Sequence, residues 1–381
     1  MIGRLLLFLI ILFSPTQLGK HFWGPFSQVG GFRLDYLSPT LYLTDALILL
    51  YTLINLPEII KFLKRHFRPL LPLILFIFLN LLFSISPFAS LFIWLRWLLY
   101  SFLILCLHLN HVKLKTIIYP LTISVTFIVL LEVIHLLTQA SLGGVLYYLG
   151  ERSFNQSTPQ LAKMVINGRL LLRPYATFSH PNSLAGFLLI SLFILRLKSS
   201  SELAKIISFV GIVLSFSKTA IVTTVLYLLG FFKKNRLLLV LTLPLLIFLI
   251  KPLIDSSESL SNRFYLLSPT LNIIWQYPLF GVGLGGFFSA LVNVLPENQI
   301  TPSLIQPVHN IFLLFVAETG VLGLLILGYY TIKAKVLRHP RLIELISLFL
   351  LTGGFDHYWL TLPQNKLILF LALFFVYNKD Q

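Results

Sequence analysis

The chain has 381 residues, of which 57% are hydrophobic and only 11% charged, with a mean hydropathy of +0.89. Soluble domains hold about 45–50% apolar and about 25% charged residues, so a soluble enzyme is excluded and an all-α polytopic membrane protein is expected. The net charge of +16 does not indicate nucleic acid, because the basic residues are scattered through short loops and not gathered on one soluble face.

Backbone groups in lipid must be paired within their own segment, and the Leu/Phe/Ile runs lack the alternation of a β-barrel, so the spans are expected to be helices. The first run, residues 3–19, follows Arg4 and lacks a small-residue cleavage site, so it reads as an uncleaved first span. Further runs fall at 41–56, 70–85, 88–109, 116–138, 183–197, 203–217, 219–232, 237–252, 309–332, 341–355 and 365–377. They predict about twelve transmembrane helices in one integral membrane domain over 1–381. The sole cysteine, Cys106, lies in one of these runs, so no disulfide or thiolate metal site is available within the chain. Arg96, Glu132 and Glu318 also fall inside runs. Ionisable groups at such depth serve as bundle-packing partners or as parts of a functional site.

Charge sets the orientation. With the N-terminus in the cytoplasm, 18 of the 29 Lys and Arg residues fall in cytoplasmic segments, so both termini are expected inside. Three extracytoplasmic stretches are then long: 20–40, 139–182 and 253–308. They are rich in Gly, Pro, Ser, Asn and Gln and read as loops with short helices. The cytoplasmic loops are short and basic, so any chemistry belongs on the outer face. No matched pair of Gly/Pro-broken spans in the two halves signals a secondary transporter.

Five outer-face motifs carry the candidate residues. RPYATFSHPNSLAGF (173–187) offers Arg173, His180 and Asn182. An Arg here can hold an anionic group by a bidentate contact, although Pro181 and Asn182 equally suit a helix cap. SFSKTAIVTT (215–224) places Lys218 beside a helix start, which is an anion site or a lysine reaching the interface. In the third motif Arg263 precedes an amphipathic stretch and GVGLGG (281–286). That glycine run is no dinucleotide fingerprint, because no βαβ unit surrounds it. The glycines instead suit a tight re-entrant turn at the membrane surface. QPVHNIFLLFVAETGVLGLL (306–325) puts His309 and Asn310 at the mouth of a span, with Glu318 about 13 Å deeper. The helix dipole lowers the proton affinity of a His there, and a neutral imidazole can accept a hydroxyl proton. GGFDHYWLTLPQN (353–365) adds Asp356 and His357, flanked by aromatics that also fit an interfacial belt. His180, His309, His357 and Asp356 are zinc-ligand types, but no tight ligand spacing occurs, so no metal is expected.

In order along the chain, RPYATFSHPN, SFSKTA, Arg263 with PLFGVGLGGF, and HNIFLLFVAETGVLG resemble the O-antigen ligase/polymerase family of bacterial membrane glycosyltransferases over residues 170–330. RLDYLSPTLYLTD (33–45) and FDHYWLTLPQ are similar to a subset of that family. The resemblance implies a GT-C-type fold with an extracytoplasmic active site in the cytoplasmic (inner) membrane. It implies transfer of a glycan from a polyprenyl (undecaprenyl) diphosphate carrier to an acceptor hydroxyl, inverting and without metal or cofactor. By matching positions, Arg263 and Lys218 would bind the diphosphate, with Arg173 a third candidate. His309 would activate the acceptor, and Asn310 would hold the imidazole or the donor. His180, Asn182, Asp356, His357 and Glu318 are supporting candidates. The family's inter-span motif carries Arg where this chain has Lys218, which supplies charge without a bidentate fork. The partners expected are the lipid-linked donor, a glycan, lipid or protein acceptor, and membrane lipids. Ligase is placed first; a repeat-unit polymerase and a non-enzymatic transporter of the lipid-linked glycan are the alternatives.

Overall fold

The computed structural model describes residues 2–197, 202–231 and 263–379. The apolar run at 237–252, the start of the 253–308 loop, and Lys198, Lys233, Lys234, Arg236 and Lys251 lie outside the described residues. Helices occupy each of the other predicted runs. The first, α1 (Ile2–Leu12), stops earlier than expected. Pro15 cannot donate to the ladder and drives the residue before it off helical torsions. The loop that follows is not only irregular and helical. It contains strands β1 (Gly19–His21), β2 (Gln28–Val29), β3 (Phe32–Arg33) and β4 (Thr40–Tyr42). β1 pairs antiparallel with β4, placing Lys20 opposite Leu41, and β2 pairs antiparallel with β3.

Next come α2 (Leu43–Ile54), α3 (Leu56–Leu82), α4 (Pro87–Leu109) and α5 (Lys115–Thr138). α3 bends at His66 (φ −115°, ψ 19°), because Pro69 has no N–H for the carbonyl of Arg65. The bend separates a basic arm from the apolar length. The second long loop holds α6 (Val145–Tyr148) and a hairpin of β5 (Lys163–Ile166) and β6 (Arg169–Leu172). Its turn is Asn167-Gly168, both at positive φ (49° and 76°), as a type I′ turn requires. The chain continues through α7 (Pro181–Leu197), α8 (Glu202–Leu214) and α9 (Lys218–Leu228). After the undescribed stretch come α10 (Leu267–Gln276), α11 (Phe287–Val294), α12 (Ile311–Lys333), α13 (Pro340–Gly353), α14 (Tyr358–Thr361) and α15 (Pro363–Lys379).

Among the described residues, α3, α4, α5 and α12 are long and apolar enough to cross a membrane. The chain is therefore a mostly helical, multi-pass membrane protein. Its centre is α7, apolar all round and buried along nearly its whole length, as expected of a core helix. It packs against α5, α8, α9, α13 and α15. Close approach there depends on small residues: Gly186 lies under the Tyr358 ring, and Gly211 lies against Val129, Leu188 and Glu132. A second core gathers α10, α11 and the first half of α12 around Phe287, Leu291 and Leu314.

α12 is broken. Gly320 takes φ 64°, ψ −170°, a conformation open to glycine alone. The PLFGVGLGGF segment, residues 278–287, fills the break. Val321 N–H donates to the carbonyl of Pro278 (2.8 Å), Leu322 N–H to that of Leu279 (3.2 Å), and Val282 N–H to that of Ala317 (2.9 Å). The Asn80 amide of α3 donates to the carbonyls of Phe280 (2.8 Å) and Glu318 (2.9 Å), and its oxygen accepts from Trp94 Nε1 (2.9 Å). Non-helical backbone at membrane depth is tolerated only where protein satisfies it. Here the glycine loop, Asn80 and the helix break satisfy one another.

Candidate active site

The broken helix and the long loops line a cavity of about 1470 Å³. Asn310 starts α12 as its N-cap: its side-chain oxygen accepts from the N–H groups of Phe312 (2.9 Å) and Leu313 (3.1 Å), and its amide donates to the carbonyl of Gly354 (3.2 Å). These bonds commit Asn310 to the helix start, so of the two roles expected for it, holding the imidazole or the donor, the first is not seen. They set His309 immediately outside the cap. The partner of His309 comes from far along the chain: its Nδ1 lies 3.6 Å from Asp356 Oδ1. Its Nε2 lies 3.3 Å from the side-chain oxygen of Gln306.

Asp356 is the hub. It is buried, yet its Oδ2 accepts from Asn182 Nδ2 (2.8 Å) and its Oδ1 from the backbone N–H of His357 (2.8 Å). Burial alone would raise its pKa, but the neighbouring His309 overcomes this and holds the carboxyl well below the usual range. Asp356 is therefore ionised at neutral pH. His180 and His357 behave oppositely, since burial pushes both down to about 3 and keeps them neutral. His180 Nδ1 accepts from the Asn182 N–H (3.1 Å) at the start of α7, and His357 Nδ1 faces Thr361 Oγ1 (2.9 Å).

Two cations face this group. Arg173 Nε donates to the carbonyl of Ser215 (3.0 Å) and its Nη2 to Asn182 Oδ1 (2.8 Å). Burial lowers its pKa to about 10, so it stays charged at neutral pH. Arg263 Nη1 reaches the carbonyl of Phe355 (3.5 Å). Asn182 thus bridges the Arg173 guanidinium to Asp356. Lys218 differs from expectation. It is exposed at the first residue of α9 and does not line the cavity. The α8–α9 turn touches the site through its Ser215 carbonyl and not through Lys218.

The second loop is pinned by a buried pair. His135 Nε2 lies 2.7 Å from Glu151 Oε1, and His135 Nδ1 accepts from Ala176 N–H (3.2 Å). The Glu151 carboxylate accepts from the N–H groups of Leu142 (2.8 Å) and Gly143 (2.7 Å). This lock carries Arg152 and Arg173 to the cavity wall. Sequence reasoning did not single out Glu151 or His135. The first loop adds Arg33, Asp35 and Tyr36, with the Tyr36 ring 6.0 Å from that of His357. Segments 33–45 and 355–364 therefore meet at one cavity.

Of the deeper groups, Glu318 Oε1 accepts from Gly285 N–H (2.8 Å) and lines the cavity. Arg96 is paired with Asp45 (3.2 Å). Glu132 is buried against Gly211, and among the described residues its carboxylate has no hydrogen-bond partner. A metal set was not expected from spacing along the chain. The fold nevertheless gathers ligand-type atoms of His309, Asp356 and His357 within 4.8 Å of one another. The Asp356 carboxylate in that trio is already engaged by Asn182 and the His357 backbone.

Against known proteins, residues 203–328 match the family model described as O-Antigen ligase. Neither a search of curated proteins nor one of solved structures finds a match. The matched stretch contains Lys218, Arg263, the glycine loop, His309 and the broken part of α12, while Arg173, Asp356 and His357 lie outside it. Proteins of this family are membrane glycosyltransferase-like enzymes of ligase or polymerase type, working on lipid-linked glycans. Over residues 203–328 the chain is thus similar to the O-antigen ligase family.

Proposed function

We propose that the chain transfers a glycan from a polyprenyl diphosphate carrier to an acceptor hydroxyl at the outer face of the bacterial cytoplasmic membrane, as an O-antigen ligase does. In this reading the fold is of GT-C type with about twelve spans, both termini are cytoplasmic, and 170–330 is its core region. The observation that carries it is the meeting of His309 and Asp356 with Arg173 and Arg263 in one cavity.

The acceptor oxygen attacks the anomeric carbon as the bond from that carbon to the diphosphate oxygen breaks. The hydroxyl proton passes to His309 Nε2, while Asp356 orients the ring through Nδ1 and stabilises the imidazolium. The electron pair leaves on the diphosphate, whose charge Arg263 and Arg173 neutralise. Fixed cations in a water-poor site can do this without a metal. A single displacement inverts the anomeric centre. Lys218, outside the cavity wall, is replaced in this scheme by Arg173. A repeat-unit polymerase would run the same step with a lipid-linked glycan as acceptor. Ligase is kept first because the outer loops lack a large insertion for gripping a protein. A transport path through Arg96, Glu132 and Glu318 is disfavoured, since Arg96 and Glu318 are tied to fixed partners and Glu132 does not line the cavity.

The test is transfer by the protein purified in native lipid and supplied with lipid-linked glycan, with a chelator present throughout. His309→Ala should abolish turnover while the donor lipid still co-purifies. Arg263→Ala should lose the co-purified donor. Wild-type turnover in His309→Ala would refute the mechanism.

A further inference from the structure

The cavity extends beyond His309. Its lining also includes Leu73 and Phe76 of α3, Trp97 and Leu98 of α4, and Ile326 and Leu327 of α12, a stretch we call the corridor. Leu98 and Leu327 are exposed, so the corridor reaches the outer wall of the bundle, where lipid tails lie. Those side chains are apolar or aromatic, while Arg96, Ser101, Thr319 and Tyr330 add polar groups to the same lining. Lys366, in the first turn of α15, lines the same cavity, and its Nζ stands 5.7 Å from the centroid of the Trp97 ring.

Lys366 is only 3% exposed. Among the described residues its ammonium is in no hydrogen bond or ion pair, and its side-chain contact is with the Trp97 ring. The two carboxylates whose charge it feels are committed elsewhere. Asp45 Oδ2 takes Arg96 Nε (3.2 Å) and the Tyr42 N–H (3.3 Å), and its Oδ1 takes the Tyr100 hydroxyl (3.4 Å). Glu318 takes the N–H of Gly285 (2.8 Å). A contact with an aromatic face offsets part of the cost of a buried ammonium, but an ionisable group at this depth marks a binding site by default. An anion arriving along the corridor would supply the missing partner.

We propose that Lys366 is a second phosphate-binding station in the cavity, separate from Arg173 and Arg263, and that it holds the phosphate of a membrane amphiphile whose tail lies in the corridor. The proposal rests on the transferase reading, in which donor and acceptor occupy the cavity together. The phosphate at Lys366 is then the acceptor's. A volume of about 1470 Å³ exceeds the range of about 300–1,000 Å³ common for one small ligand, which leaves room for two head groups.

The experiment is native mass spectrometry of the full chain in micelles, titrated with undecaprenyl phosphate. Wild type should take up two equivalents, and Lys366→Met and Arg263→Ala one each. Lys366→Arg should keep two. Lys366→Gln, expected to lose the same equivalent, serves if Lys366→Met does not fold. Uncharged undecaprenol should not distinguish wild type from Lys366→Met. Equal uptake of the phosphate by wild type and both neutral variants would overturn the proposal. Displacement of the Lys366-dependent equivalent by phosphatidylglycerol would overturn the acceptor assignment, because the station would then serve bulk lipid. One equivalent that depends on Arg263 and not on Lys366 removes this inference alone. No uptake by wild type strikes the transferase reading itself.

Discussion

A base that works on a weakly acidic hydroxyl needs its imidazole held in one tautomer, and the candidate site supplies that through Asp356. The separation of 3.6 Å from His309 Nδ1 is long for a hydrogen bond, but such contacts commonly tighten only when substrate is present. Asp356→Asn keeps the shape and the link to Asn182 while removing the charge. Its turnover should fall by about 100-fold, with little change in the KM for donor, as measured by initial rates over a donor series. An equal loss through KM would mean that Asp356 serves donor binding. The neighbouring histidines make a different prediction. His357 has its pKa lowered by burial from 6.5 to about 3. Between those values the unfolded chain binds a proton that the folded chain refuses, so stability falls as pH drops below 6.5. At pH 5 that costs about 2 kcal/mol for this one group, and His180 acts in the same direction. Thermal unfolding at pH 7.5 and pH 5 should show a smaller gap in His357→Gln than in wild type. An unchanged gap would show that His357 does not titrate in this way.

The element that positions these residues is a helix that cannot run straight. α12 begins at the Asn310 cap, breaks at Gly320, and holds the glycine loop in the break. Much of this was legible in the sequence. GVGLGG reads as a tight turn, and Gly281, Gly283 and Gly285 all take positive φ. The break itself was not legible, because a glycine inside a helical run is tolerated without a break, even beside Glu318 and Thr319, and hydropathy carries no torsion. Nor was Asn80, one amide in an apolar run that closes the loop from another helix. The Asn167-Gly168 hairpin did have a signal, a turn dipeptide between β-prone runs. At Gly320 a Cβ would collide with the Leu279 backbone, and the torsions themselves are strained for any other residue. Gly320→Ala should therefore lose more than about 2 kcal/mol, read as early unfolding and low recovery of purified protein. Gly328 has open space where a Cβ would point, so Gly328→Ala should behave as wild type. Similar recovery of the two variants would show that the break is not needed.

At the scale of the molecule, charge and cavity point the same way. Basic residues crowd the short loops assigned to the cytoplasm, while the arginines and histidines around Asp356 stand on loops and helix ends assigned to the outside. Composition made the membrane class legible, because 11% charge cannot cover a soluble surface. It could not show that segments 33–45, 173–182 and 355–364 share one cavity, because those meetings are made by packing across more than 300 residues of chain. Sidedness can be read directly. The sole cysteine is buried, so replacing Cys106 with Ala gives a background free of thiols. Ser303 is exposed in the loop before His309, and Lys113 is exposed between α4 and α5. In intact cells a membrane-impermeant maleimide should label Ser303→Cys and spare Lys113→Cys. After lysis both should react. Labelling of Lys113→Cys alone in intact cells would invert the topology, put His309 and Asp356 on the cytoplasmic side, and remove the extracytoplasmic transfer reading with it.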